Sequence, residues 1–300
     1  MSQPVANVRD RIEQLRQDLE HHNHLYYVEA QPVISDLEFD RLMKELERLE
    51  AAHPEFASPT SPTQRVGGKP VSSLKTIAHR VPMLSIDNAY DVNDLRDFDN
   101  RVRKELRVAK LRYVVEPKID GASLSLVYKK GILEAAVTRG DGESGDDVTH
   151  NVKTAGGVPL KLRTDDPPAY FEARGEIYIT KADFAARNAA LKAAGEKEAA
   201  NPRNLAAGSL RLLDPREAAT RKLRLFAYST GFVEGIDLDT QTQTLETLKQ
   251  FGFHVTPDIQ FCDGIDAVIA CCEQWAHRRF DLGYDIDGLV IKIDDLSARE

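Results

Sequence analysis

The sequence is short of several things, and each shortage excludes a class of protein. No apolar run approaches the roughly 20 residues needed to cross a bilayer as a helix. The opening stretch MSQPVANVRDRIEQLRQ is polar and spaced like a helix, so it does not read as a secretory signal. Cysteine is scarce. Cys262, Cys271 and Cys272 lack the spacing of a metal-ligand set and read as reduced thiols of a core or helix, which favours a cytosol-like compartment. Basic residues are also in deficit, with 40 Lys and Arg against 48 Asp and Glu for a net charge of −8. A protein that gripped nucleic acid chiefly through phosphates would be basic, so this chain by itself is a poor candidate for tight DNA binding, local basic patches aside.

What is present describes a globular chain of 300 residues, enough for one large domain and a small one. Val5, Val8, Ile12, Leu15 and Leu19 recur at helical steps, predicting an amphipathic helix over 5–20. A second helix starts near Ser35, where Ser35 and Glu38 form a capping box, and Phe39, Leu42, Leu46 and Leu49 make its apolar face. HHNHLYYVEAQPVI between them reads as a polar and aromatic loop. Residues 53–82, broken by Pro54, Pro59, Pro62, Pro70 and Pro82, read as a linker over the surface, with a domain boundary near residue 70.

The stretch VVEPKIDGASLSLVYKKG, residues 114–131, sets Lys118 between apolar runs that read as buried strand. An unpaired ammonium there would be costly, so Lys118 is either a surface residue beside Pro117 or an amine kept for its reactivity. Residues 122–128 alternate as a strand, Lys129-Lys130-Gly131 is a hairpin turn, and ILEAAVTR returns as the partner. Further strands are expected at 169–180, 223–230 and 285–294, and helices at 181–194, 240–251 and 265–280. Hairpins interspersed with helices predict an α+β fold of antiparallel sheets.

Strand faces point to the chemistry. Phe171, Ala173, Ile177 and Ile179 share one face, and Glu172, Arg174, Glu176 and Tyr178 the other, which is expected to meet water, Glu172 included. Leu289, Ile291 and Ile293 oppose Gly288, Val290 and Lys292, and Lys292 sits oddly in apolar surroundings. The tripeptide Ile-Asp-Gly occurs twice, at 119–121 and 286–288. GDGESG (140–145) fits a glycine-rich nucleotide fingerprint, but Asp141, Glu143, Asp146 and Asp147 would repel a pyrophosphate, so a turn into a short helix is the better reading. Arg139 before it is a natural partner for phosphate or carboxylate. Arg203 and Arg211, eight apart in NPRNLAAGSLR with small residues between, can share one helix face, and spacing alone favours salt bridges for them. The residues alone describe a nucleophilic or phosphate-binding lysine in a groove lined by Glu116, Asp120, Arg139, Glu176 and Lys292, suited to phosphoryl chemistry with a divalent metal.

The same residues carry a family resemblance. EPKIDGASLSLVYKKG, TRGDGESGDDVT, ARGEIYI, NPRNLAAGSLR and GYDIDGLVIK occur in the order and spacing of the bacterial NAD+-dependent DNA ligases, and SPTQRVGG and VPMLSIDNAY extend the likeness over nearly the whole chain. The resemblance implies the nucleotidyltransferase fold of DNA ligases and mRNA capping enzymes. It implies that Lys118 attacks the α-phosphate of NAD+, forms lysyl-AMP and releases nicotinamide mononucleotide (NMN), the first step in sealing a nick. By similarity, Glu116 binds the adenine end, Asp120 and Glu176 serve the ribose or Mg2+ (or Mn2+), and Arg139 contacts the sugar. Tyr228 stacks on adenine, Lys292 neutralises the α-phosphate, and Ser85, Ile86 and Val290 belong to the same nucleotide site. Arg203 and Arg211 correspond to DNA or phosphate contacts, while Tyr26, Asp36 and Asp40 serve the NMN half. Tyr27 and Phe39 depart from the family's usual histidine and tyrosine, and Phe39 lacks a hydroxyl to offer a ligand.

Such ligases continue into a last nucleotidyltransferase motif, an oligonucleotide-binding fold, a zinc site, helix-hairpin-helix repeats and a BRCT domain, whereas this chain ends at Glu300. It is therefore expected to be a monomeric, cytoplasmic adenylation fragment with a module over 1–70 and a nucleotidyltransferase domain over 71–300. Zinc is expected only in the absent part, and binding to nicked duplex DNA is expected to be weak. Two rival readings are a module that binds NAD+ without turnover and an ATP-dependent ligase or capping relative.

Overall fold

The computed structural model describes residues 5–27, 31, 33–65 and 71–299. Helices α1 (Val5–Tyr27) and α2 (Asp36–Ala52) pair through Val8, Ile12, Leu15, Leu19 and Leu46, the apolar stripes of the sequence. Ser35 caps α2 with both halves of its box formed, and Arg11 grips Glu45 with two hydrogen bonds of 2.8 Å. The expected loop at HHNHLYY is instead the end of α1: no glycine or proline interrupts the helix there, and its backbone bonds run on.

The stretch taken as a surface linker is also more ordered than its prolines imply. It contains two short 3-10 turns, Pro54–Phe56 and Pro62–Arg65, and strand β1 (Thr76–Ala78). Arg65 donates to the carbonyls of Lys153, Ala155 and Val158 at 3.2, 3.4 and 3.0 Å, which seats the helical module on the larger domain. The expected boundary near residue 70 falls outside the described residues.

Past β1 come α3 (Val92–Leu106), β2 (Arg112–Ile119), β3 (Ala122–Lys129), β4 (Ile132–Thr138), β5 (Ser144–Asp146) and α4 (Thr149–Val152). Then follow β6 (Tyr170–Tyr178), α5 (Lys181–Ala193), α6 (Pro202–Leu210), α7 (Pro215–Ala219), β7 (Arg224–Glu234), α8 (Gln241–Gln250), β8 (Gln260–Asp263), α9 (Ile265–Arg278) and β9 (Ile286–Ile293). The α+β expectation holds. The sheets are antiparallel, one ordered β4-β3-β6-β7, one β8-β2-β9, and a small pair β1-β5. Lys130 and Gly131 both adopt positive φ in the β3–β4 turn, as a two-residue hairpin loop requires.

Each large sheet is apolar on one side. Leu124, Leu126, Tyr128, Phe171, Ala173 and Ile177 join Leu245 and Leu248 of α8 in the main core. Tyr113, Val115 and Ile293 pack on Val268, Cys271 and Trp275 of α9 in the second. The other sides, which carry the charged residues, come together: Lys292 on β9 donates to the Tyr228 carbonyl on β7 at 2.9 Å.

Candidate active site

The pairing of β2 with β9 builds the site. Glu116 lies opposite Val290 and Lys118 opposite Gly288, two steps from Lys292 opposite Val114, so Glu116, Lys118, Val290 and Lys292 share one face. The second Ile-Asp-Gly thus lies against the first, and the Asp120 amide donates to the Asp285 carbonyl at 2.9 Å. The two copies of the tripeptide are halves of one structure.

The two lysines differ in environment. Lys292 is the buried one, 16% exposed, with Nζ 2.8 Å from Glu116 Oε1 and over the Tyr228 ring at 5.1 Å. Burial pushes its amine below the ordinary range, and Glu116 opposes that shift. Gln241 of α8, fully buried, donates to Glu116 Oε1 and to the Tyr228 carbonyl, both at 2.8 Å. Burial and the nearby Glu176 push the Tyr228 phenol up.

Lys118 lies where β2 leaves its buried stretch. Despite its apolar flanks its side chain is 35% exposed, and Nζ bonds Asp287 Oδ2 at 2.6 Å. That contact holds the Asp287 carboxyl below the usual range. Asp120, beside it, pairs with Arg203 at 3.3 Å. Glu176 on β6 accepts from the Ser123 hydroxyl at 2.7 Å. Desolvation pushes its carboxyl up to about 7, although Ser123, Arg203 and Lys118 all oppose the shift. Gly121 allows this crowding, since a Cβ there would lie 2.1 Å from the Ile177 carbonyl.

Other expected residues fall at varied places. Arg139 is exposed at the end of β4. Arg211 pairs with Asp146 at 2.9 Å, so the two arginines of NPRNLAAGSLR serve different carboxylates, and only Arg203 joins the Lys118 cluster. GDGESG turns where expected, Asp141 accepting from the Glu143 and Ser144 amides, but Ser144 and Gly145 open strand β5, which stands between the turn and α4. Ser85 and Ile86 lie in an exposed segment after Met83, which is tied by its amide to the Gly142 carbonyl. Tyr26 is 38% exposed near the end of α1, and Asp40 is exposed on α2. The Asp36 side chain lies outside the described residues. Among the described residues, docking contacts of the module run through Arg65 and through Arg163 to the Glu20 carbonyl.

One expectation about β6 is overturned. Glu172 does not meet water: it is 1% exposed and accepts from Ser125, Arg174 and the Phe232 amide. Arg174 in turn donates to the Val81 and Pro82 carbonyls, so what looked like a solvent face is covered by the segment before residue 83. Residue alternation along β6 shows two faces but not what covers each. Asp287, Ser123 and Gln241 are the functional candidates that sequence reasoning missed; the repeated Ile-Asp-Gly was the available signal for Asp287, and Gln241 gave none.

The site is open to solvent at its Lys118 and Asp287 end and buried at Lys292 and Glu116. A concavity of about 360 Å3 lies on the helical module, bounded by Arg9, Arg16 and Phe56, and none of these charged groove residues lines it. Among the described residues no three His, Cys, Asp or Glu side chains converge as a ready-made metal site. Asp120 and Glu176 nevertheless fit Mg2+ or Mn2+, which commonly takes one or two carboxylates together with substrate phosphates. The desolvated carboxyl of Glu176 is one that a cation would return to its charged form. No helix among the described residues is long and apolar enough to cross a membrane.

Comparison with known proteins identifies the family. Residues 71–300 match the NAD-dependent DNA ligase adenylation domain, and residues 5–67 match the DNA ligase-like, N-terminal NAD+-binding domain. A DNA ligase of Pelotomaculum thermopropionicum is 48% identical over 310 aligned residues, covering 100% of this chain and 45% of the relative. A DNA ligase of Methylococcus capsulatus is 47% identical over 300, covering 100% of this chain and 44% of the relative. The chain thus spans less than half the length of these curated relatives. It belongs to the NAD-dependent DNA ligases and carries their N-terminal NAD+-binding and adenylation domains.

Proposed function

We propose that this chain charges itself with AMP: Lys118, after its ammonium gives one proton to solvent, attacks the α-phosphorus of NAD+ as the free amine, a P–N bond forms, the bond to the NMN phosphate breaks, and the second amine proton leaves to solvent. NMN departs with its own phosphate. The observation that carries this reading is the pair of unlike lysines on one strand-paired face, Lys118 accessible beside Asp287 and Lys292 buried on Glu116. An accessible amine can reach an incoming phosphate, while a buried ammonium supplies fixed positive charge where the reacting phosphate gathers negative charge.

Each remaining side chain then has a task. Asp287 aims Lys118; Glu116, Tyr228, Val290, Ser85 and Ile86 hold the adenosine; Asp120, Glu176 and Arg139 meet the ribose side. Asp120 and Glu176 would hold Mg2+ or Mn2+, whose charge when bound neutralises the phosphate oxygens. Tyr26, Asp36 and Asp40 of the module, residues 1–70, receive the NMN half and so select NAD+ over ATP, and residues 71–300 form the nucleotidyltransferase domain. Within a full-length bacterial, cytoplasmic enzyme the AMP passes to the 5′-phosphate of nicked duplex DNA, with Arg203 and Arg211 on phosphate contacts. We take the 300-residue chain to be a monomer that holds DNA weakly, in keeping with its net charge of −8.

The test is NMN release followed over time. With NAD+ and Mg2+, the chain is expected to release one equivalent and stop, and Tyr26→Ala is expected to slow that release about 10- to 100-fold while labelling from ATP stays negligible throughout. Labelling from ATP in preference to NAD+, or unchanged NAD+ kinetics in Tyr26→Ala, would contradict the assignment.

A further inference from the structure

The contact between Lys118 and Asp287 poses a physical problem. Asp287 is 58% exposed, and an exposed ion pair contributes too little to hold two side chains in one geometry. Something else must fix the backbone of residues 282–287. Lys181, at the start of α5, holds part of it: its amide donates to the Gly283 carbonyl and its ammonium to the Leu282 carbonyl, both at 2.9 Å. The same ammonium lies 3.6 Å from Asp285 Oδ1, Ile286 pairs with Ile119 of β2, and Tyr284 adds a ring contact to the four-stranded sheet.

Its ring meets two stacked rings of the four-stranded sheet. Tyr178 of β6 and Phe226 of β7 lie parallel with centroids 4.7 Å apart, and Tyr284 stands edge-on to them at 5.4 and 5.2 Å. Its hydroxyl reaches the other way, to Asp258 Oδ2 at 3.3 Å, and Asp258 is gripped by Arg278 of α9. One side chain thus ties the four-stranded sheet to the helix that backs the three-stranded one. The next residue, Asp285, accepts the Asp120 amide, and three residues on stands Asp287.

We propose that Tyr284 is a positioning residue whose ring docks the lead into β9 on the four-stranded sheet, which sets Asp287 against Lys118 and so aims the nucleophile. The ring is the working part. Aromatic contacts of this geometry stabilise beyond their buried area, whereas a bond of 3.3 Å is a minor addition. The inference rests on the proposed role of Lys118, but its first readout does not.

That readout is competitive labelling of lysines by trace acetic anhydride, read by peptide mass spectrometry, with exposed Lys129 as the internal standard and buried Lys292 reporting any unfolding. In Tyr284→Ala, Lys118 labelling is expected to rise about tenfold, the scale of coupling between contacting groups, to the level of Asp287→Asn. The double variant should go no higher, and Tyr284→Phe should match the parent. Should Tyr284→Ala not fold, as rising Lys292 labelling would reveal, Lys181→Met loosens the same segment and should raise Lys118 labelling alone. Charging with AMP should move oppositely, falling about a hundredfold in rate in Tyr284→Ala with KM for NAD+ unchanged, because a freed amine is easier to capture but no longer aimed. Unchanged Lys118 labelling in Tyr284→Ala, or additive effects in the double variant, would overturn the proposal. A parent chain that NAD+ fails to charge would instead refute the proposed function and leave the labelling result to decide this one.

Discussion

Lys292→Met is expected to lower folding stability by about 3 kcal/mol and to slow charging of Lys118 by about 10² or more. The two losses have different origins. Stability falls because Glu116, 3% exposed, keeps a buried carboxylate without its ammonium, and Gln241 alone is too weak a partner to replace that charge at the same oxygen. The rate falls because fixed positive charge is gone from the groove. The double variant Lys292→Met/Glu116→Gln separates them: with both charges removed the melting transition should return most of the way, while charging stays slow. Urea melts beside quenched-flow charging check this, and a Lys292→Met chain that charges at the parent rate would remove Lys292 from the chemistry.

Glu176→Gln should make the protein more stable and less active, with the stability gain depending on pH. The folded-state carboxyl titrates near 7 instead of the ordinary 4.5, so the fold disfavours its charged form. Below the ordinary value both states are protonated and the fold loses nothing. As pH rises from there through about 7 the parent loses stability, and above that it carries the full cost, about 3 kcal/mol. Glutamine cannot ionise and can still accept the Ser123 hydroxyl, so its advantage should be near zero at pH 4 and greatest at pH 8. Thermal melts of parent and variant across that range measure it. A constant difference at all pH values would mean that Glu176 is not desolvated as described. Adenylation should fall in the variant at every pH, since the carboxylate proposed to meet ribose or metal is gone. A group held in a destabilising state that function requires is a usual mark of a site.

How much of this was legible beforehand depended on distance along the chain. The capping box at Ser35, the Lys130–Gly131 turn, the two faces of β6 and β9 and the turn at GDGESG are local, and each follows from spacing within a dozen residues. The order of the five sequence motifs added the family. What could not be read was whatever pairs distant segments. Lys118 and Lys292 look alike in sequence, both charged within apolar strands, yet one is about a third exposed and the other buried. Only the register of β2 on β9, and the covering of that face by β7 and α8, tells them apart. Glu172 was misjudged for the same reason: alternation put it on the polar face, and the polar face proved to be roofed by residues 81–82 through Arg174. Asp287 enters the site because the second Ile-Asp-Gly pairs with the first.

The central claim is that Lys118 forms the covalent bond to AMP. Intact-mass spectrometry after incubation with NAD+ and Mg2+ tests it directly, with peptide mapping to find the adduct. The parent chain should gain the mass of one AMP residue on the peptide containing Lys118, and Lys118→Ala should gain none while still binding NAD+. An adduct of the same mass in Lys118→Ala, or one mapping to another lysine in the parent, would contradict the account.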